Sequence, residues 1–308
     1  MPAIRVIEAF RNLFYSPFYV THALGLFEAE GLDVTMQPRD AGESVVELLG
    51  AGSFDVALTG IMRSLVAADE GESDYPVAFA EVNSRDGFVM LSRQRFDNFR
   101  WGDVEGHTVI SFREPPTPWM SLLRAFKNEG VDVSKVDLSV EQPIPDAIEA
   151  FKQGYGDFIE LPEPFAEMLI SDGVAHLAAP MGRHVGVVPY SSFAATRAFL
   201  TTRHDDILGF TRALYAGQRW ITTHGPAEIA PLVAPYLPGF GVDLLIPGVE
   251  RYQAQETWAA DPLLRPEGFY RLQDILREGG LIKGEHRYED QVSTTFADAV
   301  MLESPGGA

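Results

Sequence analysis

The 308-residue sequence predicts an α/β fold in two lobes, each with its own largely parallel sheet. Three observations lead there. The length exceeds what one hydrophobic core usually serves, so two units of roughly 100–150 residues are expected. The first half alternates short strand-like and helix-like runs, and the alternation begins afresh at His107. From His204 onward the pattern is almost wholly helical, and helices with no sheet of their own must pack on one already made.

Taken in order, Ile4–Phe10 reads as the first strand and Arg11–Pro17 as a loop. Phe18–Glu30 reads as an amphipathic helix ended by Gly31. Strand Leu32–Gln37, helix Glu43–Ala51, strand Phe54–Leu58 and helix Ile61–Asp69 continue the βα series, and strands Tyr75–Val82 and Asp86–Ser92 flank the turn Asn83-Ser84-Arg85. The second series runs strand His107–Phe112, helix Trp119–Glu129, strand Lys135–Val140, helix Ile144–Gln153 and strand Gly156–Leu161. Val185–Phe199 contains a further strand, and helices follow over 204–224, 226–235, 241–256, 266–279 and 288–300. The helical block is expected to return to the first lobe. Lobe I would then hold 1–88 and 193–308 and lobe II 89–192, with two crossings near 86–92 and 185–193. The segment Ser304–Ala308 reads as a loose tail.

Composition removes whole classes of function. Hydrophobic residues make up 46% and charged residues 22%, with 28 Gly, 21 Pro and no Cys, which excludes disorder, collagen-like sequence and a disulfide scaffold. Subtracting 44 acidic from 24 basic residues gives a net charge of -20. That field repels polyanions, so nucleic acid and anionic membrane are poor partners. The absence of Cys removes thiol nucleophiles and cysteine metal sites. No apolar run reaches the roughly 18–20 residues that span a bilayer, and Met1–Val6 enters a strand without a secretory leader; the expectation is a cytoplasmic protein or a mature exported form.

Ligands of open α/β sheets lie beyond the carboxyl ends of the strands, which points to a few loops. Asn12, Phe14 and Tyr15 follow strand one, with Tyr19 in the next helix; two adjacent aromatics at a strand end offer an apolar wall, against the plainer reading that they pack on helices. Gly60, Met62 and Arg63 form a strand-to-helix turn whose free N–H groups and guanidinium suit a carboxylate, sulfonate or phosphate, against an Arg63 paired with Asp69 or Glu70. Arg113 opens a proline-rich turn in which Thr117 would cap a helix starting at Pro118, with Trp119 beside it. Glu160 ends a strand and would accept from a ligand or pair with an Arg across the cleft, whereas Glu163 suits a helix start. Asn83 and Tyr190 sit on the crossings. The seven His show no metal-binding spacing; His22 reads as structural, and no Walker A, G-x-G-x-x-G or G-x-S-x-G motif is present.

Pro17-Phe18-Tyr19-Val20 followed by Gly25-Leu26-Phe27-Glu28-Ala29-Glu30-Gly31-Leu32-Asp33-Val34 resembles the opening of NMT1/THI5-like substrate-binding proteins, with Thr21 where Ala is common. The block Leu48–Ala57, Glu163-Pro164-Phe165-Ala166 with Asp172-Gly173, and Gly279-Gly280-Leu281-Ile282 are also similar to that family. The resemblance implies a two-lobed type II periplasmic-binding-protein fold with two crossover strands, which captures a small molecule for an ABC permease and ATPase. It implies a monomeric protein without a cofactor, in the periplasm or at the cell surface. Nitrate, sulfonate, taurine and thiamine-pyrimidine binders belong to the group. The aromatics favour an organic anion or aromatic body over nitrate, although the Pro-rich turn departs from the family's small loop.

The alternative is a cytoplasmic enzyme or sensor on the same fold. Pyrimidine synthases of the THI5 branch use a His, a Lys-bound pyridoxal phosphate and a Cys-rich motif, and sulfinate desulfinases use a Cys. A chain without Cys lacks a group essential to both. A transcription regulator would require a helix-turn-helix that the sequence does not show.

Overall fold

The computed structural model describes residues 1–40, 42–112, 116–140 and 142–303. The expected tail at Ser304–Ala308 lies outside them. Among the described residues, ten strands form two five-stranded sheets. The first contains β1 (Ala3–Glu8), β2 (Asp33–Pro38), β3 (Val56–Thr59) and β4 (Val77–Asn83); the second contains β5 (Phe88–Ser92), β6 (Thr108–Ile110), β7 (Asp137–Ser139), β8 (Phe158–Pro162) and β9 (His176–Pro180). β10 (Ser191–Ala195) returns to the first. The orders are β2-β1-β3-β10-β4 and β7-β6-β8-β5-β9.

Both sheets thus share one topology, although the sequence carries no repeat. β1 runs parallel to β2 and β3, and β6 parallel to β7 and β8. One antiparallel strand enters each sheet directly from the other: β5 lies between β8 and β9, and β10 between β3 and β4. The chain therefore passes between sheets twice, after Asn83 and after Pro180. β3, β4, β5, β8 and β10 are buried along their whole length, as strands covered on both faces should be.

The expected elements form, with four differences of physical interest. The helix read over Phe18–Glu30 is two, Ser16–Ala23 and Leu26–Ala29, because Gly25 adopts the left-handed conformation between them (φ 67°). The stretch 288–300 divides into Tyr288–Gln291 and Thr295–Glu303, because Val292 bridges to Ala78 and the Ser293 N–H donates to the Ala78 carbonyl at 2.8 Å, extending the sheet at β4. β9 was not foreseen: His-Leu-Ala-Ala-Pro is a poor strand former placed at a sheet edge. Helix Pro116–Glu129 starts ahead of Pro118, so Thr117 lies inside the first turn and is not the residue before it.

Helix His204–Thr223 packs on Ser16–Ala23, Leu26–Ala29 and Thr295–Glu303, over the first sheet as expected. Phe18, Phe27, Phe193 and Phe210 meet there with ring centroids 4.7–5.9 Å apart along the contacts Phe18–Phe27, Phe18–Phe193, Phe27–Phe210 and Phe193–Phe210. The helical block does not stay on one lobe, however. Helix Val242–Ala254 packs on Phe165–Ser171, and Pro266–Glu278 packs on both Pro116–Glu129 and Met62–Asp69, so the C-terminal helices tie the two sheets together.

Candidate functional site

β1, β3 and the crossing strands converge on a crevice between the lobes. Asn12 Oδ1 accepts from the Phe14 N–H at 3.1 Å and starts a single 3-10 turn, Leu13–Tyr15, which aims both rings inward. Phe14 stands edge-on to Tyr15 at 4.7 Å and to Tyr190 at 6.1 Å, and its carbonyl accepts from the Trp258 indole at 3.1 Å. A Cβ at Gly87, on the first crossing, would lie 3.0 Å from the Phe14 ring. Thr59 and Gly60 end β3 beside this wall. At Gly60 the chains approach closely, since a Cβ there would be 3.3 Å from the Tyr190 carbonyl and 4.0 Å from Thr117 Oγ1.

Phe14, Tyr15, Gly60, Met62, Arg63, Thr117 and Tyr190 all line this crevice, together with Ala9, Phe10, Thr59, Pro118 and Ser191. Its interior is narrow, ≈ 30 Å³, and at Met62, Arg63 and the start of helix Pro116–Glu129 it meets a hollow of ≈ 290 Å³ that Ser44, Glu47, Glu70 and Leu281 also border. Asp69 accepts from the Lys283 and Gly284 N–H groups at 2.9 and 2.6 Å.

Beneath the apolar walls lies a buried polar layer. Glu8, fully buried at the end of β1, accepts from Arg11 Nη2 at 2.7 Å and from the Tyr19 hydroxyl at 2.5 Å. Tyr15 is buried, which pushes its phenol up; the Glu8 charge adds to the shift and Arg63 opposes it. Glu160 Oε2 accepts from Ser111 Oγ at 2.5 Å, and Asp86 Oδ1 from the Phe88 N–H at 2.8 Å. Burial raises both carboxyls, Asp86 to about 6, and the Asp86 charge raises Glu160 further. The Ser121 and Tyr190 hydroxyls face Asp86 and partly offset its shift, while the two carboxyls push the buried Tyr190 phenol up.

The remaining candidates have distinct settings. Asn12 and Asn83 are buried beside the crevice with Nδ2 of each lacking a hydrogen-bond partner among the described residues. Tyr19 belongs to the core, stacked on Tyr236 at 4.8 Å, and is not on the crevice wall. Trp119 is half-buried at the edge of the core. Arg113 lies outside the described residues. The cross-lobe pairing anticipated for Glu160 is made by Glu163, whose Oε1 accepts from Arg251 Nε at 2.6 Å. His22 bonds Tyr236 Oη at 2.7 Å and the Val34 carbonyl at 3.2 Å, a structural role.

Sequence reasoning did not single out Glu8, Thr59, Asp86, Ser111 or Ser191. Glu8 carries the one available signal, an acid at the end of a strand, the position expected of Glu160; β8 instead continues to Pro162 and places Glu160 in mid-strand, paired with Met90. Among the described residues no group of three or more His, Asp and Glu side chains is placed to hold a metal, and no helix is long and apolar enough to cross a membrane.

Comparison with known proteins agrees with this geometry. The chain is 28% identical over 301 residues to YtlA of Bacillus subtilis (strain 168), which is named as a binding protein; the match covers 97% of this chain and 90% of that one. It superposes with a TM-score of 0.74 on the alkanesulfonate-binding protein SsuA of Xanthomonas axonopodis pv. citri bound to MOPS, at 19% identity over 96% of this chain and 99% of that one. The desulfurization enzyme DSZB has the same fold, with a TM-score of 0.69 at 13% identity over 98% and 99% of the two chains. The two interleaved sheets are therefore the two-lobed fold of periplasmic binding proteins. The NMT1/THI5-like family model matches residues 12–228, and the chain belongs to that family.

Proposed function

We propose that the protein is a solute receptor, which captures a small organic ligand with an anionic or aromatic part between its lobes and delivers it to an ABC permease and ATPase. One observation carries the reading. Residues from the first strand loop, the β3 turn, the Pro116–Glu129 helix start and the second crossing line a single crevice, although up to about 180 residues separate them in sequence. The alkanesulfonate-binding protein on this fold supports an anionic ligand group, for which Arg63 and the adjacent Gly60 turn are the recognition elements. Phe14, Tyr15 and Tyr190 would enclose the apolar body, and Asn12, Asn83, Arg113, Thr117, Trp119 and Glu160 complete the proposed contact set.

The reading includes a division into lobes at 1–88 with 193–308 and at 89–192, hinged near 86–92 and 185–193; the two passages between sheets support it. Closure about these crossings would enclose the ligand. It also includes a monomer in the periplasm or at the cell surface. An enzyme stands as the second reading because DSZB shares the fold, but a chain without Cys has no thiol for sulfinate chemistry. Titration with sulfonates, aromatic acids and pyrimidines, followed by thermal shift and product analysis, decides between them. A ligand that raises Tm and is recovered unchanged is the expected result; consumption of that ligand refutes the receptor.

A further inference from the structure

The two crossings border a second hollow, separate from the crevice. It measures ≈ 490 Å³, within the range of small-molecule sites, and is bordered by Arg85 of the first crossing, Val187 of the second, and Glu256 and Trp258 from the C-terminal block. A recess of ≈ 260 Å³ adjoins it, since Ser84, Val187 and Ala260 border both; Glu81, Asp261 and Arg265 line the recess alone. No described residue borders both these hollows and the crevice. Trp258 links the two regions, because its indole N–H donates to the carbonyl of Phe14 on the crevice wall.

The lining carries no charge left over for an ion. Arg85 Nη2 lies 3.0 Å from Glu256 Oε2, and Arg265 Nη2 lies 2.7 Å from Asp261 Oδ2. Glu81, on β4, is the exception in kind. It is only 4% exposed, and no hydrogen bond reaches its carboxyl among the described residues, which feels only the fields of Arg265 and Asp261. Burial pushes that carboxyl well up, so it stands as a neutral acid with one donor and one acceptor unused. Buried polar groups are almost always met, and here the partner has to come through the recess. Apolar surface waits beside it: Val187 is 39% exposed, and Trp258 keeps 8%.

The same walls hold the crossings together. The Val188 N–H donates to the Ser84 carbonyl and the Tyr190 N–H to the Asn83 carbonyl, both at 2.9 Å. A molecule seated against Ser84 and Val187 would therefore brace both crossings at once.

We propose that the joined hollows form a second ligand site, which takes an uncharged phenol-type molecule with its ring on Val187 and Trp258 and its hydroxyl on Glu81, and that the occupant stiffens the two crossings. A phenol hydroxyl donates and accepts, which matches a neutral carboxyl on both counts. The site goes beyond the solute-receptor reading and does not depend on what the crevice binds.

Calorimetric titration of the full chain at neutral pH with 4-ethylphenol against 4-ethylanisole tests the proposal. The phenol should bind at one site about 5-fold more tightly than its methyl ether, the scale of one neutral hydrogen bond. Glu81→Leu should erase that preference. Ala260→Trp, at an exposed position that borders both hollows, should abolish binding of either probe without lowering Tm. Hydrogen exchange at Val188 and Tyr190 should slow several-fold when 4-ethylphenol saturates the wild type. If Glu81→Leu does not fold, the wild-type pair and Ala260→Trp still decide. Equal binding of the two probes, binding that survives Ala260→Trp, or unchanged exchange at both amides overturns the inference and leaves the receptor reading as it stands.

Discussion

Arg251 Nε lies 2.6 Å from Glu163 Oε1, joining the C-terminal helix Val242–Ala254 to the end of β8 in the second sheet. The same guanidinium reaches Glu167 through Nη2, and the Glu167 N–H donates to Glu163 Oε2 at 3.0 Å. Glu163 is fully buried, and burial raises its carboxyl even beside Arg251. Removing the cation by Arg251→Met should therefore cost about 3 kcal/mol or more at pH 8. The loss should shrink toward pH 5, where the isolated carboxyl takes up a proton. Urea denaturation of the variant at both pH values measures the difference, and an equal loss at both would contradict the account.

The Asp86–Glu160 pair gives the ligand-free protein an unusual pH dependence. Both carboxyls are raised in the folded state, so the native protein binds more protons than the unfolded chain above about pH 4. Stability from this pair falls as pH rises from there through about 6, the value to which Asp86 is raised. Asp55 and Asp69 act in the opposite sense: both are lowered, and their contribution is lost as pH falls below about 4. Maximum stability is expected near pH 5, with a decline toward pH 8 on the order of 2 kcal/mol. Melting curves for the wild type and Asp86→Asn should diverge in this window, with the variant losing the part of the decline that Asp86 contributes, while Glu160 and Glu81, both raised by burial, keep theirs.

Gly182 sits behind the first crossing, where a Cβ would lie 2.6 Å from the Asp86 carbonyl and 3.0 Å from Arg85 Cβ. Backbone cannot yield as a flexible side chain does, so Gly182→Ala should destabilise by about 1–3 kcal/mol and disturb ligand affinity as well. Gly50, in helix Val45–Gly50, faces open space, and Gly50→Ala should stabilise by up to about 1 kcal/mol. Denaturant titration of the two variants should give shifts of opposite sign.

Arg63→Ala should weaken binding of an acidic ligand by about 10-fold or more, corresponding to roughly 1.5–3 kcal/mol for a hydrogen bond to a charged group. Binding of a neutral aromatic ligand should change little. Calorimetry with both classes tests this, and an unchanged affinity for the acid would remove Arg63 from the anion site.

The sequence alone determined most of the local structure: strand and helix runs, Gly31 at a helix end and the two-series βα order follow from periodicity and turn chemistry over a few residues. It also pointed to Phe14, Tyr15, Gly60, Arg63 and Tyr190, because strand ends in such folds are where ligands lie. Tertiary structure decided what depends on distant partners. β9 exists because β5 lends it an edge, and Val292 leaves its helix because Ala78 is near. Tyr19 was claimed by Glu8 and Tyr236, and Arg251 chose Glu163 over Glu160. The unpaired acceptor of Glu160 is likewise invisible in sequence, because an orphaned oxygen is defined by what packing withholds from it, and packing is non-local.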